Sequence, residues 1–279
     1  MRPDAAHVER LVAEALAEDL GTGDVTTAAT VPEDARARGV LLAKQDLVVA
    51  GLDVALAAFR QLDRAVAWQP ESTDGERVRA GAALGTLRGR AQALLSAERV
   101  ALNFLQRLSG VATLTRRFVE AVAGTRTQVR DTRKTTPLLR GLEKHAVRLG
   151  GGEPHRSSLA DAVLVKDNHA RLAGSVGEAA RRAVERAAGL PVEIEVERVD
   201  QIEGVLAAGA SLILLDNFTP AQVRDAVRLV AGRARLEASG GITLDNVRAY
   251  AEAGVDYVAV GALTHSAPAV DVSLEIEAE

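Results

Sequence analysis

Residues 192–216 read VEIEVERVDQIEGVLAAGASLILLD, and the two ends of that stretch differ in period from its middle. Val192-Glu-Ile-Glu-Val196 alternates apolar with acidic residues and Leu212-Ile-Leu-Leu-Asp216 is apolar on both faces, whereas 199–208 repeats its apolar residues at helical spacing. Strand, helix and strand in so short a span form the unit of a parallel sheet with helical crossovers. Outward from it the same rhythm predicts strands over 127–131, 162–166, 236–238 and 257–261, and helices over 176–188, 220–230 and 244–253. Strands apolar on both faces, such as 212–215, belong to a sheet covered by helices. The six strands end in Asp131-Thr-Arg-Lys134, Lys166-Asp-Asn168, Glu195 with Glu197, Asp216-Asn217, Ser239-Gly-Gly241 and Gly261-Ala262. In an α/β barrel those ends converge on the face that carries catalytic groups. An open doubly wound sheet is the alternative, but the first strand-to-helix turn lacks the Gly-x-Gly-x-x-Gly pattern.

The first 110 residues have no such rhythm. A helix is expected over 7–18, a glycine-rich break over 20–27, strands within 39–49, a helix over 52–62, and short strands at 66–68, 77–78 and 85–87. A long helix over 91–123, broken near Ser109-Gly110, leads out of the region. The 279 residues are 47% hydrophobic and 26% charged with a mean hydropathy of +0.04, a globular composition. The absence of cysteine excludes disulfides, thiol nucleophiles, iron–sulfur ligation and cysteine zinc sites. A net charge of −4, a pI near 5.8 and seven aromatic residues argue against a nucleic-acid partner. With neither a signal-peptide pattern nor an apolar run of membrane-spanning length, the expected location is the cytoplasm and no membrane partner is expected.

Charge is unevenly spread. Between Arg126 and Arg156 eight Arg or Lys face three acids, a local excess of +5 in an acidic chain. A basic basin of this kind suits a small anion better than a polyanion, which the remaining surface repels. Only four of the 34 basic residues are lysines, and two of them, Lys134 and Lys166, stand at predicted strand ends, where a compact ammonium differs from a guanidinium. With Arg133 and Arg156 they offer enough charge to hold a dianion. Glu195 and Asp216 end neighbouring strands with no His or Cys nearby, and paired oxygen ligands suit Mg²⁺. Glu193 is expected to pair with an interior cation such as Arg130. Ser239-Gly240-Gly241 and Gly261-Ala262 fall at the last two strand ends, the usual position of a barrel phosphate site. His155, in the glycine run 150–156, reads as a ligand contact.

Taken together, Asp131-Thr-Arg-Lys-Thr-Thr-Pro137, Gly150-Gly-Gly-x-x-His-Arg156, Lys166-Asp-Asn-His169, the Glu-x-Glu strand, Leu215-Asp-Asn217, Ala238-Ser-Gly-Gly-Ile242, Glu98-Arg-x-x-Leu-Asn103 and Glu18-Asp-Leu-Gly-x-Gly-Asp-Val-Thr26 closely resemble the quinolinate phosphoribosyltransferases. The resemblance covers nearly the whole chain. It implies an N-terminal α/β sandwich (1–108, joined by a returning strand from 266–279) and an incomplete parallel α/β barrel (109–265). It also implies a homodimer in which Arg99 reaches the neighbour's site, with Thr132, Arg133, Lys134, His155, Arg156 and Lys166 around quinolinate and 5-phosphoribosyl-1-pyrophosphate. By the same resemblance, Glu195 and Asp216 lie near the ribose and its Mg²⁺-pyrophosphate and, with Lys134 and Lys166, form the catalytic set, while Ser239, Gly240, Gly241, Gly261 and Ala262 hold phosphate. The implied activity is phosphoribosyl transfer to quinolinate with decarboxylation, giving nicotinate mononucleotide. Two alternatives stand beside it: a protein of the same fold acting on another acceptor base, and a Schiff-base lyase using Lys166, which would need that lysine desolvated.

Overall fold

The computed structural model describes residues 4–279, which fall into two compact units. The first takes residues up to Leu114 with Gly141–Gly151 and Ala267–Glu279, and the second takes Thr115–Arg140 and Gly152–Ser266. None of the helices among the described residues is long and apolar enough to cross a membrane.

The first unit opens with α1 (Ala5–Leu20), whose N-cap Asp4 accepts from the His7 backbone N–H. In the stretch expected to be a break stands a short helix, α2 (Val25–Thr30), nucleated by Asp24, whose carboxylate accepts from Thr27 N at 2.9 Å and Thr27 Oγ1 at 2.6 Å. There follow β1 (Arg36–Ala43), β2 (Leu47–Val48), α3 (Leu52–Leu62), β3 (Ala67–Pro70), β4 (Arg77–Val78), β5 (Ala83–Arg90) and α4 (Ala91–Ala121). The C-terminal strand Val272–Ala278 pairs antiparallel with β1, β1 with β5, and β5 with β3, giving a four-stranded sheet. α4 is continuous through the expected break at Ser109-Gly110. Ser109 Oγ accepts from Ala50 N at 3.0 Å and donates to Ala50 O at 3.2 Å, and a Cβ on Gly110 would lie 2.1 Å from the Pro268 carbonyl oxygen. The pair serves close approach of other backbone rather than helix termination. α5 (Arg140–Leu149) buries Leu142, Glu143, Lys144, Ala146 and Val147, with Glu143 accepting from Arg107 Nη2 at 2.8 Å.

The second unit contains β6 (Gln128–Arg130), β7 (Val163–Val165), α6 (Asp167–Ala173), α7 (Val176–Arg186), β8 (Val192–Val196), α8 (Ile202–Ala207), β9 (Leu212–Asp216), α9 (Pro220–Val230), β10 (Arg235–Ser239), α10 (Val247–Glu252), β11 (Tyr257–Ala259) and α11 (Ala262–His265). Its six parallel strands are ordered β6-β11-β10-β9-β8-β7. The first strand therefore pairs with the last, while β6 and β7, consecutive in this sheet, are not paired: the barrel is incomplete at that seam. On one face Ile194, Ile213, Leu215, Ala238 and Val258 are fully buried, as are Ala180, Ile202, Val205, Val223 and Ala226 on the helices. Burying each large aliphatic side chain contributes about 1.5–3 kcal/mol. α9 begins where the sequence predicts because Thr219 and Gln222 form a capping box ahead of Pro220. The alternate residues of the strands, Arg130, Glu193, Glu195, Asp216, Glu237 and Ser239, form the polar face.

Candidate active site

The register of the sheet aligns the strand ends laterally, with Asp216 opposite Ser239, Ser239 opposite Ala259 and Ala259 opposite Arg130. Beyond these ends the second unit assembles three groups of the predicted residues.

The first is cationic. The basic excess of 126–156 does not form a single basin: Arg126 bonds the Gly254 carbonyl, Arg130 lies inside the barrel, Arg140 bonds Thr135 Oγ1 and Ser157 O, and Lys144 and Arg148 belong to α5 in the first unit. What remains at the strand ends is Arg133, Lys134 and Arg156, with Lys166 after β7. The Arg133 side chain is half-buried, and its Nε has no hydrogen-bond partner among the described residues. Arg156 Nη1 donates to Ala162 O at 2.9 Å. Burial and the charge of Arg133 both push the Arg156 guanidinium below its ordinary pKa. Two guanidiniums close enough to repel are a preorganised place for a small anion with more than one negative charge.

The second group is anionic. Lys166 Nζ lies 3.3 Å from Glu195 Oε2, and Asp167 N donates to Glu195 Oε1 at 3.5 Å. Burial raises the Glu195 carboxyl and Asp216 raises it further, while Lys166 opposes them. Asp216 is oriented by its neighbour, Asn217 Nδ2 donating to Asp216 Oδ2 at 2.7 Å. Asn217 holds a left-handed backbone, φ 56°, and its N donates to Ser239 O at 2.8 Å.

The third group is the glycine turns. Gly240, at φ 93°, lies so close to Asn217 that a Cβ would fall 2.1 Å from Asn217 Oδ1, tying the Ser239-Gly-Gly241 turn to the residue that orients Asp216. Gly261 precedes α11, and a Cβ there would be 3.4 Å from Lys134 Cδ. Thr264, fully buried, donates from Oγ1 to Lys134 O at 2.8 Å. The Lys134 N–H in turn donates to Thr132 Oγ1 at 3.0 Å.

Below the strand ends the barrel interior is charged, and here an expected pairing is corrected. Glu193 does not bond Arg130; its Oε2 lies 2.8 Å from His155 Nε2. Arg130 instead donates from Nη1 to Glu237 Oε2 at 3.0 Å, bonds Glu153, and stacks over the Tyr257 ring at 3.3 Å from its centroid. Strand order favours this, because β10, which carries Glu237, is two places from β6 in the sheet and β8, which carries Glu193, is four. Burial and Glu193 together push the Glu237 carboxyl up to about 7. Among the described residues, His155, Glu193 and Glu237 are the three side chains whose candidate metal-ligand atoms come within 4.8 Å of one another. The Arg130 guanidinium already bonds Glu237, so the cluster carries its own cation.

Thr132, Arg133, Lys134, His155, Arg156, Lys166, Glu195, Asp216, Ser239, Gly240, Gly241, Gly261 and Ala262 thus all belong to the second unit. Arg99 belongs to the first, exposed on α4. A hollow of about 1210 Å³ in the first unit, beside Trp68 and His145, holds none of the predicted site residues. Sequence reasoning places Asn217 at a strand end and Arg130 in the interior but gives Asn217 no orienting role and Arg130 the wrong partner, and it does not single out Thr264 or Glu237; the Asx-favoured left-handed turn before Phe218 is a usable signal for Asn217 alone.

The family described as quinolinate phosphoribosyl transferase, C-terminal domain, matches residues 111–275, and its N-terminal domain matches residues 24–109. The chain is 44% identical over 273 residues to a nicotinate-nucleotide pyrophosphorylase (carboxylating) of Mycobacterium leprae, covering 95% of each chain. It is 41% identical over 271 residues to a probable enzyme of the same name from Bacillus subtilis, covering 96% of this chain and 93% of that one. Among solved structures it resembles NadC from Streptococcus pyogenes with a TM-score of 0.95 and 40% identity, covering 100% of this chain and 99% of the other. The nicotinate-nucleotide pyrophosphorylase from Francisella tularensis gives a TM-score of 0.95 at 38% identity, covering 99% and 98% of the two chains.

Proposed function

The chain belongs to the quinolinate phosphoribosyl transferase family, and on that premise we propose how its own residues carry the reaction. It transfers the phosphoribosyl group of 5-phosphoribosyl-1-pyrophosphate to quinolinate with decarboxylation, giving nicotinate mononucleotide, pyrophosphate and CO₂ in NAD biosynthesis. The observation that supports the assignment of roles is Arg133 at the strand ends, whose buried Nε has no hydrogen-bond partner among the described residues, with the like charge of Arg156 near enough to be felt. We assign them to the adjacent carboxylates of quinolinate, with Thr132 and Lys166 completing the acceptor site. Lys134, the Ser239-Gly240-Gly241 turn and Gly261-Ala262 hold the donor's phosphates, where absent side chains let backbone N–H groups approach.

The pyridine nitrogen has a free lone pair, so displacement at the anomeric carbon needs no strong base. As the bond to pyrophosphate breaks, positive charge grows on the ribose ring, and Glu195 and Asp216 stabilise it. The departing pyrophosphate takes the bonding electrons and is met by Lys134. The new pyridinium then accepts electron density as the C2–carboxylate bond cleaves; CO₂ leaves and the ring carbon takes a proton from solvent water.

Mg²⁺ fits the donor set: Asp216 is near enough to raise Glu195, both offer only oxygen, and hard oxygen ligands completed by water and substrate phosphate are what this ion takes. Glu195 and Asp216 would hold it, and bound there it would neutralise charge on the pyrophosphate. The dimer, with Arg99 serving the neighbour's acceptor site, is part of the same proposal, as is a cytoplasmic location, which suits small soluble substrates. A Schiff-base lyase is disfavoured because Lys166 is half-exposed and ion-paired with Glu195.

Replacing Arg133 or Arg156 by Ala should weaken quinolinate binding by about 2–5 kcal/mol, the range for truncating one partner of a desolvated charge pair. Calorimetric titration with quinolinate, and with nicotinate, which lacks the second carboxylate, measures this. Equal affinity for the two acids, or no loss in either variant, would remove the pair from the acceptor site.

A further inference from the structure

His155 is held at three points. Its backbone N donates to the fully buried Asp131 at 2.7 Å, its Nε2 lies 2.8 Å from Glu193 Oε2, and its Nδ1 accepts from the Arg156 backbone N–H at 2.8 Å. An Nδ1 that accepts an N–H carries no proton, so the network assigns the ring proton to Nε2, which donates to Glu193. Both ring nitrogens are thereby engaged within the protein. Glu193 is itself fixed: it lies on β8, 3% exposed, in a cage closed by Glu237 of β10, whose Oε1 is 3.6 Å from the same Nε2, and Glu237 is anchored by Arg130 of β6. Three strands therefore converge on one imidazole, and the atom that imidazole controls is the main-chain N–H of Arg156.

We propose that Glu193 and His155 are positioning residues for quinolinate: Glu193 fixes the imidazole, and Nδ1 of the imidazole fixes the backbone of Arg156 so that its guanidinium stands beside Arg133. This deepens the reading of the arginine pair as the site of the two carboxylates and rests on it. The reason for so rigid a support is electrostatic. Two guanidiniums near each other would drift apart unless held, and each fraction of an ångström lost reduces their combined pull on a dianion. The side-chain bond of Arg156 Nη1 to Ala162 O at 2.9 Å holds the guanidinium itself, and the His155 contact fixes where its stem begins, so the two contacts act on opposite ends of one side chain. In this arrangement the negative charge of Glu193 is incidental and its hydrogen-bond acceptance is what matters; the same holds for the ring, of which Nδ1 is the working atom.

The test uses two pairs of variants in the full-length enzyme, with steady-state kinetics for both substrates and a thermal melt for each variant. Glu193→Leu removes the acceptor and should raise the quinolinate KM about tenfold or more while kcat and the KM for the phosphoribosyl donor stay within about threefold, the pattern of lost ground-state positioning. Glu193→Gln keeps an acceptor for Nε2–H without the charge and should restore the quinolinate KM to within about threefold of the parent. His155→Asn keeps an oxygen where Nδ1 accepts, whereas His155→Gln reaches only the Nε2 position, so the Gln variant should show the higher quinolinate KM. Unchanged quinolinate KM in Glu193→Leu and His155→Gln overturns the proposal. So does a fall in kcat in Glu193→Gln, which would make the charge essential, or an equal loss in both His155 variants, which would mean the ring meets substrate directly. If Glu193→Leu fails to fold, the His155 pair decides. Failure of the parent enzyme to use quinolinate at all would instead count against the acceptor assignment.

Discussion

Glu237 shows how far a single side chain's behaviour depends on residues distant in sequence. Nothing in Arg235-Leu-Glu-Ala-Ser239 marks its carboxyl as unusual, yet burial and the charge of Glu193 push it up to about 7 against the opposing pull of His155 and Arg130. A carboxyl whose folded pKa is raised above its unfolded value of about 4.5 gains a proton on folding. Its contribution is therefore fully present below about pH 4.5, is lost as pH rises to about 7, and changes no further above that. The parent protein should lose stability between pH 5 and pH 8 by more than Glu237→Gln does, measured as urea unfolding midpoints at the two pH values. Identical pH slopes in the two proteins would show that Glu237 does not carry the proton.

The turns after the strands behave as units. Asn217 and Gly240 come from different strand ends, both at positive φ, and the missing Cβ of Gly240 is what lets Asn217 hold Asp216. Gly240→Ala puts a methyl group where Asn217 Oδ1 lies, so it should displace the Asp216 carboxylate and lower kcat by about tenfold or more, as expected when a preorganised charge is misplaced. A crystal structure or a kcat matching the parent would show that the turn tolerates the methyl group. At this scale the sequence was informative where chemistry is local. The strands Val192–Val196 and Leu212–Asp216 and the helix Pro220–Val230 were legible because alternation, double-sided apolarity and a capping box are properties of consecutive residues. The helix at Val25–Thr30 was hidden by the glycines before it, although Asp24 is a capping residue. The partner of Glu193 and the packing of Gly141–Gly151 with the first unit were not legible, because both depend on strand order and on which surface a segment finds.

For the whole molecule, the family's motifs divide between the units: the arginine pair, Lys134, Lys166 and the paired carboxylates lie in the second, and Arg99 in the first. If Arg99 serves a neighbouring subunit, mixing an Arg99→Ala chain with a Lys166→Ala chain should create some dimers with one intact site, and activity should return as subunits exchange. No recovery despite demonstrated exchange would confine Arg99 to its own chain. Decarboxylating phosphoribosyl transfer to quinolinate is checked by product analysis. The purified protein is incubated with 5-phosphoribosyl-1-pyrophosphate, Mg²⁺ and either quinolinate carrying labelled carbon in its 2-carboxylate or nicotinate, and nucleotide and released CO₂ are measured together. Quinolinate should yield nicotinate mononucleotide and labelled CO₂ in equal amounts and nicotinate little or no nucleotide; nucleotide from nicotinate but none from quinolinate would rule out quinolinate as the acceptor.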